Sequence, residues 1–256
     1  METVSAIPIT LEICVDSLES AQIAARAGAH RLELCADLAQ HGLTPSAGLI
    51  AAVRAQVSLP IFVMIRPRPG NFHYTSAEFA AMQRAIDLAK NSRADGVVFG
   101  ILNQDRTIDQ PRNTELLHQA RPLQATFHRA FDVSSNLAHS LETIIQLGFN
   151  RLLTSGGALK VEQATAVVKR LRGQAANRIH LMIGSGINST NVRSLIDQTG
   201  VHEVHSSARR VLPPSMRDRN EVIAMDTLPS DDHRHPEADE QEIRNLLRAI
   251  NTIPPR

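Results

Sequence analysis

The chain has 256 residues, 43% of them hydrophobic, and carries 27 Lys and Arg against 26 Asp and Glu. A net charge of +1 with histidine neutral gives no basic field of the kind that drives sequence-independent binding to nucleic acid or anionic lipid, so neither partner is expected. Cys14 and Cys35 are the two cysteines, too few for a disulfide framework and suited to a reducing compartment; with no basic leader ahead of an apolar stretch and no apolar run of roughly 18 residues, the expected place is the cytoplasm, away from membranes.

In chain order, a short apolar run at 11–15 is followed by a stretch of helical apolar spacing at 18–27, with Asp16 as a candidate cap and Gly28 as a stop. The pattern then repeats. Strand-like runs at 31–36 and 61–67 enclose a helical stretch at 47–57 headed by Ser46, and a helical stretch at 77–89 headed by Ser76 leads to a run at 96–101. Runs at 124–131 and 151–155 flank helical spacing at 137–147, which Gly148 ends; runs at 179–185 and 203–208 follow helical stretches at 161–171 and 191–197, the latter after Asn188 and before Gly200. Residues 209–237 hold Pro213, Pro214 and the charged run Asp231-Asp232-His233-Arg234-His235, and read as a long loop before a last amphipathic helix at 239–250. Such a charged run is ordinarily a solvated face; a His/Asp metal site there is the lesser alternative.

Strict alternation of strand and helix demands a parallel sheet, and eight repeats within one domain over 1–256 favour closure: the predicted fold is α/β, a single (β/α)8 TIM barrel with a long loop before the last helix. No G-x-G-x-x-G follows the first strand to favour an open dinucleotide-binding sheet.

Alternate strand residues face the surrounding helices and must be apolar to pack there. Leu11, Ile13 and Val15 therefore belong outside and Glu12 and Cys14 inside; on the second strand Glu33 and Cys35 face in. The same parity turns Phe62, Met64 and Arg66, then Thr126 and His128, then Glu203, His205 and Ser207 toward the axis. A buried charge costs several kcal/mol unless paired, about 3–5 when a partner is removed, so Glu12, Glu33 and Arg66 are expected to neutralise one another.

Four groups are candidates for chemistry. Cys14 and Cys35 each follow a Glu by two residues on strands about 4.8 Å apart, which sets the thiols side by side at similar height; they are a soft pair suited to Cu(I), or two cysteines that only pack. Arg66 and Arg68, stiffened by Pro67 and Pro69, form an anion clamp or a rigid turn with solvated arginines. His128, beside Arg129 and Asp132, is a general acid or base or a hydrogen-bonded core histidine, with Glu33 and Glu12 as further proton-transfer candidates. Gly184, Gly186, Ser206 and Ser207, in the loops after the seventh and eighth strands, occupy the customary phosphate position of such barrels, with Thr154-Ser155-Gly156-Gly157 extending it, or are plain turn residues.

The segments LEICVDSLESA, GAHRLELCADL, GLTPSAG, VMIRPRPGNF, DGVVFGIL, TFHRAFD, RLLTSGG and EVHSSAR, in this order, resemble those that mark the copper homeostasis protein CutC family, and Met216-Arg217-Asp218-Arg219-Asn220 resembles its M-x-x-R-N segment. The resemblance implies a barrel with a cavity at the strand C-termini, a homodimer or homotetramer, and copper handling with Cu(I) bound by the family's paired cysteines, which match Cys14 and Cys35. His41, Pro69 and the IGSGI loop depart from the family's glycines at those places. Two functions remain open at this point: Cu(I) binding inside the barrel, with Glu12, Glu33 and His128 near the thiols, or an enzyme acting on a small anionic or phosphorylated metabolite held by Arg66, Arg68 and the 184–188 loop.

Overall fold

The computed structural model describes residues 8–212 and 235–251. Eight parallel strands pair in sequence order and close on themselves: β1 (Thr10–Val15), β2 (Arg31–Leu34), β3 (Ile61–Met64), β4 (Gly96–Phe99), β5 (Gln124–Phe127), β6 (Arg151–Thr154), β7 (His180–Ile183) and β8 (Glu203–Ser206), with β8 returning to β1. Helices α1 (Leu18–Ala27), α2 (Ala47–Gln56), α3 (Ser76–Asn91), α4 (Gln110–Ala120), α5 (Leu137–Leu147), α6 (Thr165–Ala175), α7 (Val192–Thr199) and α8 (Glu240–Asn251) complete the eight repeats. This is the TIM barrel that the alternation requires. No helix among the described residues is long and apolar enough to cross a membrane.

The punctuation follows local chemistry. Gly28, Gly148 and Gly200 end α1, α5 and α7 with left-handed backbone, as expected of C-terminal glycines. Ser46 caps α2, whereas the caps of α1 and α3 fall one residue from the expected positions, on Ser17 and Thr75; Thr75 and Glu78 form a reciprocal capping box. Helix α7 follows Asn191, not Asn188. Helix α4 lies outside the expected stretches because QPRNTELLHQA has little apolar periodicity, although Asp109 accepts a hydrogen bond from Arg112 and a proline sits in the first turn. The fifth run is shorter than expected: His128 caps a 3-10 turn over Arg129–Val133 where the apolar run suggested more strand.

The expected loop from 209 is also corrected. β9 (Arg209–Leu212) pairs antiparallel with β10 (His235–Ala238), and the amide of Ala238 donates to Ser20 Oγ of α1 at 3.1 Å. RRVL and HPEA are too short and too polar to read as strands, and Pro236 suits a strand with a free edge. Residues 213–234, which hold most of the charged run and the Met216–Asn220 segment, lie outside the described residues.

Side-chain parity divides the interior in two. Leu11, Ile13, Val15, Leu32, Leu34, Ile61 and Val63 belong to the large apolar core between strands and helices, while Cys14, Cys35, Phe62, Met64 and Val98 form a separate cluster within the barrel. The inner face must accommodate bulky Phe62, and Gly96 on the neighbouring strand makes the space: a Cβ there would stand 2.3 Å from the ring.

Candidate metal centre

The lower part of the barrel interior is a layer of buried charge. Arg31 pairs with Glu12 and, at 2.7 Å, with Glu203, which also pairs with Arg151. Phe62 lies beneath both guanidinium groups, 5.0 Å from Arg31 and 5.2 Å from Arg151. The expected neutralisation of Glu12 and Glu33 by Arg66 is therefore corrected. Arg66 instead donates to the carbonyls of Gln40, Gly42 and Gly70 at 2.7, 3.0 and 3.2 Å, and the charge balance comes from Arg31 and Arg151. Arg31 was legible from parity, since 31, 33 and 35 share a face; Arg151 likewise shares its face with 153.

Above this layer the register is staggered. Glu12 pairs with Arg31 and Cys14 with Glu33, so Cys35 sits two residues beyond Cys14 and not level with it. The thiols nevertheless meet, with 3.7 Å between Sγ atoms. Both are free cysteines, 5% and 0% exposed. Glu33 Oε2 accepts from Cys14 Sγ at 3.1 Å and from Cys35 Sγ at 3.4 Å, and it stands 3.8 Å from His205 Nε2. The other nitrogen of that ring, Nδ1, is 2.8 Å from Glu12 Oε1. Gly184 makes room for Leu153, since a Cβ there would lie 2.9 Å from that side chain, and it borders the imidazole, 3.4 Å from His205 Cδ2. Two sets of convergent donors thus share Glu33: Cys14, Glu33 and Cys35, and Glu12, Glu33 and His205.

Burial and charge set the protonation of these groups. Burial works to raise the Glu12 carboxyl, but Arg31 and His205 outweigh it and hold it down at about 2. Burial pushes Glu33 up, with Glu12 adding to that and His205 opposing it. His205 is raised well above the usual imidazole range: burial opposes this, but Glu33, Cys14 and Glu12 prevail. The hydrogen bond with Cys35, together with burial, pushes Cys14 well above an ordinary thiol, and against the hydrogen bond from Cys14, burial and Glu33 push Cys35 up to about 12. The resting sulfurs are thiols, not thiolate nucleophiles.

The remaining candidates lie elsewhere. Arg68 bonds Glu78 at 2.5 Å and the carbonyls of Pro69, Asn71 and His73. His128 is buried outside both donor sets; its Nδ1 accepts from the amide of Ala130, its ring lies 4.9 Å from Phe72, and burial, with Arg66 adding, drives it down to about 3. In the 154–157 loop the amides of Ser155 and Gly157 and the hydroxyls of Thr154 and Ser155 all bond Asp132, so an internal carboxylate takes the place that a ligand anion would occupy there. Gly186 has left-handed backbone and lies against Lys160, while Ser206 Oγ donates to the Ile187 carbonyl and accepts from the Ala208 amide, tying the two loops together. Ser207 is half-buried. An open hollow of about 600 Å³ lies at the loops after β3, β4 and β5, lined by Asn71, Phe72, His73, Leu102 and Arg106 among others, away from the thiols.

The chain matches the CutC family model over residues 9–210. It is 45% identical to the human copper homeostasis protein cutC homolog over 84% of this chain and 79% of that protein, and 41% identical to a CutC family protein of Porphyromonas gingivalis over 95% and 98% of the two. The crystal structure of CutC from Streptococcus agalactiae superposes with a TM-score of 0.74 at 33% identity, covering 78% of this chain and 98% of that one. Phosphoribosylanthranilate isomerase from Thermotoga maritima, at 14% identity and a TM-score of 0.58 over 96% of this chain and 100% of that one, shares the fold alone. With the family model spanning most of the barrel and relatives at this identity, the chain belongs to the CutC family.

Proposed function

We propose that the protein binds Cu(I) inside the barrel through Cys14 and Cys35, in keeping with the copper homeostasis named for its human relative. The observation that carries this reading is the pair of free, buried thiols with their sulfurs 3.7 Å apart. Soft sulfur donors favour Cu(I) over Mg or Ca, which want oxygen. A cation offsets the desolvation that keeps the thiols protonated, so each thiol gives up its proton as it ligates. Such thiols persist in a reducing cytoplasm, where we place the protein.

The rival reading, an enzyme that clamps a small anion, would have to recruit groups already engaged. Arg66 and Arg68 donate to backbone carbonyls and to Glu78. The test of the copper reading is a titration of the reduced protein with Cu(I) against a competing chelator, repeated with Cys14→Ser and Cys35→Ser. Each substitution is expected to weaken binding at least about tenfold; unchanged affinity in both rejects the reading.

A further inference from the structure

Resting on the copper reading, we infer that His205 is a third ligand, its Nε2 joining the two sulfurs, and that Glu12 is the positioning residue that aims it. The separation of the sulfurs is the starting point. Metal–thiolate bonds are about 2.3 Å long, as in zinc sites, so a linear two-sulfur ion needs sulfurs about 4.6 Å apart. At 3.7 Å the same bonds enclose an angle of roughly 110°, close to tetrahedral. Two sulfurs set at that angle leave one side of the ion open, and the coordination must be completed from there.

Glu33 and His205 stand on that side. Glu33 Oε2 is the common neighbour of Cys14 Sγ, Cys35 Sγ and His205 Nε2, at 3.1, 3.4 and 3.8 Å. All three donors therefore border one atom, the Glu33 Oε2 that the two donor sets share. The other oxygen, Glu33 Oε1, is buried without a hydrogen-bond partner, so the carboxyl gives up no second bond when it turns aside or becomes a fourth ligand.

The imidazole is aimed for the role, and Nε2 gives up its proton as it ligates. Its Nδ1 is engaged by Glu12 Oε1 at 2.8 Å, Glu12 is itself fixed by Arg31, and only Nε2 is presented to the sulfurs' side. A carboxylate on the far nitrogen of a ligating histidine fixes the tautomer and the ring's aim, and its loss typically costs about 10- to 100-fold in metal affinity.

To test this, the full chain is reduced and loaded with Cu(I), and X-ray absorption at the copper edge is recorded beside chelator competition. The expected result is a shell of two sulfurs and one nitrogen in the wild type, loss of the nitrogen with about 10- to 100-fold weaker binding in His205→Ala, and roughly tenfold weaker binding with the nitrogen retained in Glu12→Gln. A wild-type spectrum of two sulfurs alone, or His205→Ala that binds as tightly as the wild type, overturns the inference. Should Glu12→Gln fail to fold, the wild-type spectrum still decides. If Cys14→Ser and Cys35→Ser leave affinity unchanged, the copper reading fails; if they abolish binding while His205→Ala does not weaken it, only the third ligand fails.

Discussion

Arg31→Met removes the cation shared by Glu12 and Glu203 while keeping a stem long enough to cover Phe62 and reach Met182. Glu203 keeps Arg151, so the loss falls mainly on Glu12, which is fully buried and left with His205 as its charged partner. Leaving a buried charge without its partner costs about 3–5 kcal/mol. The retained pairs put this case near the lower end, about 3 kcal/mol, or roughly 6–12 °C in Tm for a chain of this size. The assay is urea unfolding at pH 7 arranged as a double-mutant cycle with Glu12→Gln. Once Glu12 is neutral, Arg31→Met should cost at least about 1 kcal/mol less than in the wild type. Equal losses in both backgrounds, or a loss below about 1 kcal/mol for the single variant, would refute the claim that the arginine is there to hold Glu12.

Three further outcomes are expected. Because Cys14 and Cys35 rest as thiols with raised pKa values and His205 is raised above the usual imidazole range, Cu(I) loading at pH 7 should release about two protons per ion from the sulfurs and about one more where His205 ligates, measurable in weakly buffered solution; a release near zero contradicts thiolate ligation. Gly42 has a φ of 85° and a Cβ there would lie 3.0 Å from Cys35 Sγ, so Gly42→Ala should cost about 2 kcal/mol from strain and crowding together, read by chemical unfolding; a neutral result would show that the loop relaxes freely. His128 is held down at about 3 against about 6.5 when unfolded; a depressed imidazole contributes stability that is present above the unfolded value and is lost as pH falls toward the folded one. Over pH 7 to pH 5 the stability advantage of wild type over His128→Asn should therefore shrink by roughly 2 kcal/mol, and a constant gap between the two proteins would exclude a buried neutral imidazole as its source.

The barrel could be read from the sequence because its determinants are local and repeated: apolar runs of strand length, helical spacing between them, and glycines such as Gly28 and Gly148 that end helices in left-handed backbone. The inward parity of Glu12, Cys14, Glu33 and Cys35 was equally accessible, since Leu11, Ile13, Leu32 and Leu34 have to face the helices. What parity does not contain is the stagger between strands. A closed barrel shears neighbouring strands past one another, and this shear sets Cys14 opposite Glu33 instead of Cys35 and places Glu33 at the centre of the cluster. The importance of His205 was hidden for the same reason, because its partners Glu12 and Glu33 lie 193 and 172 residues away in the chain, across the seam where β8 meets β1. Arg66 shows the opposite error: its parity is right, but charge alone does not reveal that loop carbonyls are closer than carboxylates.

On the copper reading, the electrostatics of the cluster favour a cation over an anion. One carboxyl group, Glu33, and two thiols converge on one buried point, with Glu12 and His205 in a second set that shares Glu33, and the arginines Arg31 and Arg151 stand on the side of Glu12 and Glu203 rather than among the sulfurs. An anion brought there would meet Glu33 with no guanidinium among the donors, and charge pairs at such low dielectric interact over several kcal/mol. A cation meets the reverse situation. The hydrogen bond with Cys35 and burial at Cys14, and burial with Glu33 at Cys35, hold the sulfurs as thiols; a positive ion in their midst would offset that burial, and each proton it displaced would turn a sulfur into a stronger ligand. On the copper reading, the high thiol pKa values and the affinity for a cation are consequences of one buried arrangement, with the sulfurs unreactive as thiols and strong ligands once an ion displaces their protons.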